Sequence, residues 1–286
     1  MKSPFWYLNN HYVSDRTYNV AVYASALVMA FVGLFPIYWM IQSAFKTRSA
    51  ILDGVSAYPM PGTFTLENFS VVLSDAVMGY ILNTVIVTSG TIALTNVVAL
   101  VAGYGLARFR FPLKMTFARF LLLGYMFSPI VLALPLYMIW RNLGLLNTHF
   151  GLIVALTGIS LPFSVWLMWK YIQTIPRSYE ESAWIEGASR FRAFRDVVLP
   201  QTKPAIIATT LFSFAVAWND FTIAQILLPR QEATTFAPGV LRLVRQGFEI
   251  SWAEVMAVSF VMTIPPLLFA YLLQSYLLKG FQVQSL

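Results

Sequence analysis

Six long stretches of this chain carry almost no charge, and each could cross a membrane as a helix. An α-helix rises about 1.5 Å per residue, so roughly 20 apolar residues span a hydrocarbon core about 30 Å thick. Lipid offers the backbone no hydrogen-bond partner, and the stretches lack the alternating pattern of barrel strands, so helices are predicted. The predicted spans are residues 20–41, 79–107, 117–140, 150–171, 204–229 and 255–278.

The composition supports this assignment, because 58% of the residues are hydrophobic and 11% are charged, far from the balance of a soluble domain. The chain is predicted to be an all-α integral membrane protein with one transmembrane domain over residues 1–286 in a lipid bilayer. It has no cysteine and two histidines, which argues against disulfides and metal clusters. No cleavage pattern of a removed signal peptide is found near the N-terminus. No catalytic residue, metal ligand or cofactor is assigned to the chain.

Orientation follows from the basic residues, which tend to remain on the cytoplasmic side of a membrane. If the N-terminus is inside, most of the nineteen Lys and Arg residues lie in cytoplasmic segments. Both termini and residues 170–203 are therefore predicted to be cytoplasmic. This topology accounts for the net charge of +7, so a nucleic-acid partner is not expected.

The predicted cytoplasmic segment contains a charged amphipathic stretch, residues 180–200. Gly187 interrupts its helical pattern at a cost of about 1 kcal/mol relative to Ala, which predicts a turn between two short helices. Ser178 and Glu181 have the spacing of a capping box, so Glu181 has a structural interpretation as a helix cap. Glu180 falls on the side of the helix that is predicted to face solvent. The other side is apolar and contains Tyr179, Ala183, Gly187 and Phe191. An apolar face that projects from a membrane protein is an expected site for a partner protein.

The spacing in this stretch resembles the signature of ABC transporter permeases from binding-protein-dependent importers. That signature is Glu-Ala-Ala, three residues, Gly, nine residues and Ile-x-Leu-Pro. The departures here are Ser at position 182 and Val at position 197. The resemblance implies a type I ABC importer permease fold with six transmembrane helices in a bacterial inner membrane. The residues that match or replace the signature are Glu181, Ser182, Ala183, Gly187, Val197, Leu199 and Pro200.

The resemblance also implies partners. Residues 176–200 would form a cytoplasmic coupling helix-turn-helix received by a separate ATPase, with Glu181 paired to a basic residue there and Gly187 allowing close approach. The chain has no Gly-x-x-x-x-Gly-Lys-Ser/Thr loop, so it is not expected to be an enzyme, and ATP and Mg²⁺ are expected on the ATPase. The implied assembly is a heterodimer with a second, homologous permease, two ATPase copies and a soluble extracytoplasmic sugar-binding protein.

A second motif lies in the predicted fifth span and consists of Trp218, Asn219, Asp220 and Phe221. A carboxylate at membrane depth costs roughly 2.5 to 3.5 kcal/mol, so Asp220 should face the bundle interior or a water-filled cavity. The motif is either part of a translocation path that contacts sugar hydroxyls, or a buried structural group bonded to a neighbouring helix. It resembles the Trp-Asn-Asp/Glu-Phe element of the carbohydrate branch, the maltose-transporter type, which implies a sugar or polyol as substrate.

Two further features lie in the last predicted external loop and in the third span. Phe248 and Trp252 lie in the last predicted external loop, either as interfacial aromatic residues or, by the resemblance, as contacts to the binding protein. The proline at Ser128-Pro129 is predicted to shape the third span. Two functions from other classes also remain open: an ion- or proton-coupled secondary carrier with Asp220 as the coupling group, and a non-transport membrane scaffold.

Overall fold

A computed structural model describes residues 15–52, 63–245 and 252–282 of the chain. In these ranges the regular structure is helical, apart from one isolated bridge between Lys46 and Phe64, which confirms the all-α prediction. The main helices are α1 (Asp15–Ala44), α2 (Asp75–Arg108), α3 (Lys114–Tyr125), α4 (Pro129–Asn142), α5 (His149–Thr174), α6 (Ser178–Ile185), α7 (Arg190–Ala193), α8 (Lys203–Trp218), α9 (Thr222–Leu227), α10 (Phe236–Arg245) and α11 (Trp252–Gln282). The other described elements are the helices Arg48–Leu52 and Leu199–Gln201, the 3₁₀ helix Glu67–Leu73 and the π-helical turn Phe194–Val198.

The chain divides into two compact units. One comprises the described parts of Met1–Val71 and Ser251–Val261, and the other those of Val72–Ile250 and Met262–Leu286. In the first unit, the end of α1 is held by Asn68, whose Nδ2 donates to the backbone oxygens of Ala44 at 2.9 Å and Lys46 at 2.7 Å. The apolar length of α1 is exposed along the helix, as expected of a surface that faces lipid or another membrane helix.

In the second unit, α2, α5 and α8 pack closely together. A Cβ atom on Gly103 would lie 2.8 Å from the Cβ of Met168, so the missing side chain allows α2 and α5 to approach each other. Asn96 on α2 joins α8, because its Nδ2 donates to Thr210 Oγ1 at 2.8 Å and its Oδ1 accepts from Thr209 Oγ1 at 2.5 Å. Small residues and polar side chains of this kind hold helices together in membranes, where no hydrophobic force acts between them.

Four of the described helices are long and apolar enough to cross a membrane: Tyr18–Ala44, Asp75–Arg108, His149–Thr174 and Trp252–Leu272. Helices α3 and α4 are together long and apolar enough to make a fifth span. They are bent by 99° relative to each other, and the bend lies at the predicted Ser128-Pro129 interruption. Helix α8 is apolar but has only 16 residues. Six crossings therefore remain a prediction.

Two core clusters hold neighbouring segments against α5 in the second unit. Toward one end, Leu152 and Leu156 of α5 pack with Ile223 and Leu227 of α9, which fixes the short helix that follows α8. Toward the other end, buried residues of α5 pack against the segment between α7 and α8. The members of that second cluster are Met168, Ile172, Ile175, Val198 and Ala205.

Candidate functional site

Residues 176–200, called the hairpin below, form two short helices joined by a turn at Gly187. Helix α6 ends at Ile185, α7 begins at Arg190, and Gly187 between them has φ +88°. A residue with a side chain adopts this left-handed region at a cost, so glycine suits the position. Ser189 then caps α7, since its hydroxyl accepts from the Arg192 amide at 3.2 Å. The turn predicted at Gly187 is confirmed.

Large apolar side chains stand exposed around this turn. Ile185 is 87% exposed, Phe191 71% and Tyr179 52%. The exposure of Tyr179 and Phe191 agrees with the prediction of an apolar face that projects from the hairpin. Several large apolar side chains left exposed on one short segment are typical of a contact with another protein. Ile185 was not singled out from the sequence, because one isoleucine beside acidic residues gives no periodic signal.

Glu180 is the largest difference between prediction and structure in the hairpin. Its side chain is 1% exposed, although the helical wheel places it on the solvent-facing side of the helix. The carboxylate accepts hydrogen bonds from Tyr104 Oη at 2.7 Å and Arg108 Nε at 2.5 Å, both from the last turns of α2. Arg108 also donates through Nη2 to the Ile175 backbone oxygen at 3.0 Å. A cation from a helix distant in sequence makes the burial of Glu180 possible.

Glu181 is exposed, and its Oε1 lies 3.5 Å from Arg177 Nε one turn earlier. The predicted capping box is wrong: Arg177 occupies the N-cap position of α6, Ser178 lies within the helix, and no side chain caps it. An exposed pair one turn apart on a helix contributes only about 0.3 to 0.5 kcal/mol. The Glu181 carboxylate can therefore exchange its cation for one on another protein. Ser182 beside it is exposed, and Ala183 is half-buried.

The rest of the hairpin is basic on its surface and anchored at its base. The Arg195 guanidinium donates to Asp196 at 2.7 Å, and this hydrogen bond lowers the pKa of the Asp196 carboxyl below its usual value. Val198 is fully buried in the cluster with the end of α5. Leu199 is half-buried and Pro200 exposed, and both lie in the short helix that leads into α8.

A cavity of about 790 Å³ lies among α4, α5, the bend between α3 and α4, and the segment between α8 and α9. Its wall is mainly apolar and includes three residues of the second motif. Trp218 is not in the wall: its Nε1 lies 3.4 Å from the Met262 oxygen, and its ring stacks on Phe214 with centroids 5.2 Å apart. The wall residues that could contact a solute are Tyr125, Phe127, Trp140, Asn219, Asp220 and Phe221.

Asp220 occupies a break between two helices rather than the interior of one. Its Oδ2 accepts from the Ala224 amide at 2.8 Å and its Oδ1 from the Ile223 amide at 3.3 Å, so it caps α9. Asn219 bonds within α8, through Nδ2 to the Ala215 oxygen at 2.9 Å. The bonds predicted to reach a neighbouring helix instead go to the backbone of the same segment of chain. The role of the motif in transport remains a prediction.

At the other end of α2, polar side chains fix the loop between α9 and α10. Asn83 donates to the backbone oxygens of Glu232 and Thr234, at 2.9 Å each. Arg242 donates to the Leu228 oxygen at 2.6 Å. Neither donor was predicted from the sequence, although an amide side chain in an apolar span, such as Asn83, is a usable signal. Of the two predicted loop aromatics, Trp252 is 64% exposed and Phe248 lies outside the described residues.

The chain is similar to known proteins over most of its length. A family model described as "Binding-protein-dependent transport system inner membrane component" matches residues 95–283. The trehalose/maltose transport system permease protein MalG of Thermococcus litoralis is 32% identical over 265 residues, covering 91% of this chain and 94% of the relative. The diacetylchitobiose uptake system permease protein NgcG of Streptomyces coelicolor is 30% identical over 260 residues, covering 90% and 85%.

A structural comparison agrees with the sequence comparisons. One chain of a crystallised bacterial ABC transporter involved in the import of the acidic polysaccharide alginate superposes with a TM-score of 0.77. It is 22% identical and covers 93% of this chain and 99% of its own length, so the similarity concerns the fold. The fold class predicted from the sequence is confirmed by these matches.

Proposed function

The chain belongs to the family of binding-protein-dependent transport system inner membrane components, and from that premise we propose that it is the sugar permease of an ATP-driven ABC importer. It would form half of the translocation pathway across a bacterial inner membrane, with both termini cytoplasmic. The observation that carries the proposal is the hairpin. Its family spacing, from Glu181 to Pro200, coincides with exposed apolar side chains around a turn that glycine alone adopts readily.

The proposed energy source is a separate ATPase that grips the hairpin. Ile185 and Phe191 would enter an apolar cleft, and Glu181 would exchange Arg177 for a cation on that ATPase. The proposed assembly has a second homologous permease, two ATPase copies and a soluble extracytoplasmic sugar-binding protein. Closure of the ATPases on ATP and Mg²⁺ would move the hairpin as a rigid body and open or close the pathway.

The proposed pathway uses the cavity beside Asp220. Tyr125, Phe127 and Trp140 offer ring faces of the kind that stack on sugars, and the Asn219 amide can bond a hydroxyl. A pocket with an apolar wall and few polar groups suits a neutral sugar better than an ion. The printed names of two relatives refer to trehalose, maltose and diacetylchitobiose, so these disaccharides are the first substrates to test.

Uptake by membrane vesicles that contain the assembled complex tests this function. With a partner ATPase that binds but does not hydrolyse ATP, we expect uptake of labelled trehalose, maltose or diacetylchitobiose to fall to background. An active ATPase restores it, because this chain has no phosphate-binding loop of its own. Uptake that persists in energised vesicles with the inactive ATPase would instead favour an ion- or proton-coupled carrier. No uptake under any condition would favour a non-transport scaffold.

A further inference from the structure

The hairpin is tied to α2 by a buried ion pair. The side chains of Arg108 and Glu180 are 9% and 1% exposed, whereas those in the other ion pairs described in the hairpin are at least 44% exposed. These residues lie 72 positions apart, and Arg108 also holds the Ile175 oxygen at the end of α5. One guanidinium therefore joins the inner ends of α2 and α5 to the first helix of the hairpin.

The contacts between α2 and the hairpin centre on this pair. Tyr104 donates its hydroxyl to the same Glu180 carboxylate, and its ring packs against Phe194 with centroids 4.7 Å apart. Helices α5 and α8 continue directly into the hairpin through the backbone, but α2 does not. Movement of the hairpin can therefore reach α2 only through noncovalent contacts, and the directional ones described here converge on Glu180, from Arg108 and Tyr104.

A buried ion pair is weak evidence for stability, since apolar residues of similar size often serve as well. It does fix geometry, because either charge left alone in a buried site is strongly unfavourable. The pair therefore acts against any separation of the hairpin from α2. An ion pair that resists separation suits a contact that transmits movement between helices. A contact that only fills space would not need the two charges.

The other end of α2 makes a second set of directional contacts. There, Asn83 donates to the backbone oxygens of Glu232 and Thr234, and Thr84 Oγ1 accepts from the Phe236 amide at 2.8 Å. One helix of 34 residues thus holds the hairpin at its inner end and the loop between α9 and α10 at its outer end. Displacement of the inner end would move the outer loop as well.

We propose that Arg108 and Glu180 are positioning residues for energy coupling: their buried pair makes the hairpin and α2 move together when the ATPases close. The proposal rests on the proposed function, because it requires the ATPase to act on the hairpin. The proposal gives Glu180 and Glu181 different roles. Glu180 is buried against α2, whereas Glu181 is exposed and can meet the ATPase.

A distance measurement on the assembled complex tests the proposal. The chain has no cysteine, so Val97→Cys on α2 and Ser178→Cys on the hairpin, away from the turn, place two spin labels at exposed sites. In the parent chain we expect one narrow distance that is the same without nucleotide and after trapping with ATP and vanadate. In Arg108→Gln and Glu180→Gln, the distance should change on trapping and its distribution should broaden. Sugar taken up per ATP hydrolysed should then fall by about tenfold.

Matched variants separate coupling from simple loss of structure. Arg110→Gln, an exposed arginine two residues away, should behave as the parent chain does. Arg108→Lys keeps the charge but loses the fork that reaches both Glu180 and Ile175, so it should restore part of the coupling that Arg108→Gln loses. If the Arg108→Gln chain fails to assemble into the complex, the distance and the ratio of sugar to ATP can still be measured in Arg108→Lys.

The outcomes distinguish failure of the proposed function from failure of this inference. If the parent hairpin does not bind the ATPase, the proposed function itself is wrong. If the parent binds it but the Gln variants keep the parent distance and the parent ratio of sugar to ATP, only this inference is overturned. An Arg108→Lys variant no better than Arg108→Gln would also overturn it.

Discussion

Substituting valine for Gly187 is expected to release the ATPase from the complex while the chain still enters the membrane. Gly187 has φ +88°, a region that costs an ordinary residue about 1 to 2 kcal/mol and a β-branched residue more. No heavy atom lies within 4 Å of a Cβ built there, so the cost comes from the backbone and not from a clash. The turn should open and separate Ile185 from Phe191. Copurified ATPase should fall by about tenfold or more.

Two companion variants show which property of the turn matters. Gly187→Asn should retain much of the ATPase, because asparagine tolerates the left-handed region better than other residues with side chains. Glu181→Lys leaves the turn intact but reverses the charge offered to the partner, and it should also reduce copurification. Normal recovery of the ATPase with both Gly187→Val and Glu181→Lys would count against docking through this hairpin.

Replacing Asp220 with alanine is expected to reduce uptake about tenfold while the complex still assembles. The carboxylate accepts from the Ile223 and Ala224 amides, and alanine would leave both without their acceptor next to the cavity. Loss of a helix cap costs about 0.5 to 2 kcal/mol in water, and membrane surroundings make an unpaired amide costlier. The measurement is uptake of labelled disaccharide per assembled complex, with assembly judged by the amount of copurified ATPase.

Asp220→Asn separates the two interpretations of this residue. Asparagine caps helices nearly as well as aspartate but carries no charge. The single amide oxygen of asparagine can still accept from the Ala224 amide, which makes the shorter of the two bonds, so we expect Asn to retain part of the uptake that Ala loses. If Asn were as inactive as Ala, the charge itself would be required, as a sugar contact or as an ion-coupling group. Parent-like uptake by the Ala variant would remove Asp220 from the mechanism.

The parts of the fold that were predictable from sequence depend on local signals. Long uncharged runs predict helices because lipid leaves the backbone no alternative, and Gly187 predicts a turn because it is a poor helix former. The break that places Asp220 between α8 and α9 was missed, since neither Gly nor Pro marks it. The Asp220 side chain itself, as a possible helix cap, was the available signal.

The hairpin shows where local signals fail. The helical wheel assigns Glu180 to solvent because it compares residues on one helix, whereas the cation that buries this carboxylate comes from Arg108 on α2. The wheel identifies Tyr179 and Phe191 as apolar but cannot say whether the face that they form meets the same chain or another protein. Long-range pairing and partner surfaces depend on three-dimensional arrangement, which a single sequence does not supply.

The central claim is that a separate ATPase moves this permease by holding its cytoplasmic hairpin. A photo-cross-linking side chain at Ile185, which is 87% exposed at the turn, tests it directly in membranes that contain the whole complex. The same group at Leu134, a residue of α4 that is 69% exposed, is the control. We predict a cross-link from position 185 to the ATPase and none from position 134. A hairpin that captures no ATPase, or that cross-links to the extracytoplasmic binding protein, would contradict the account.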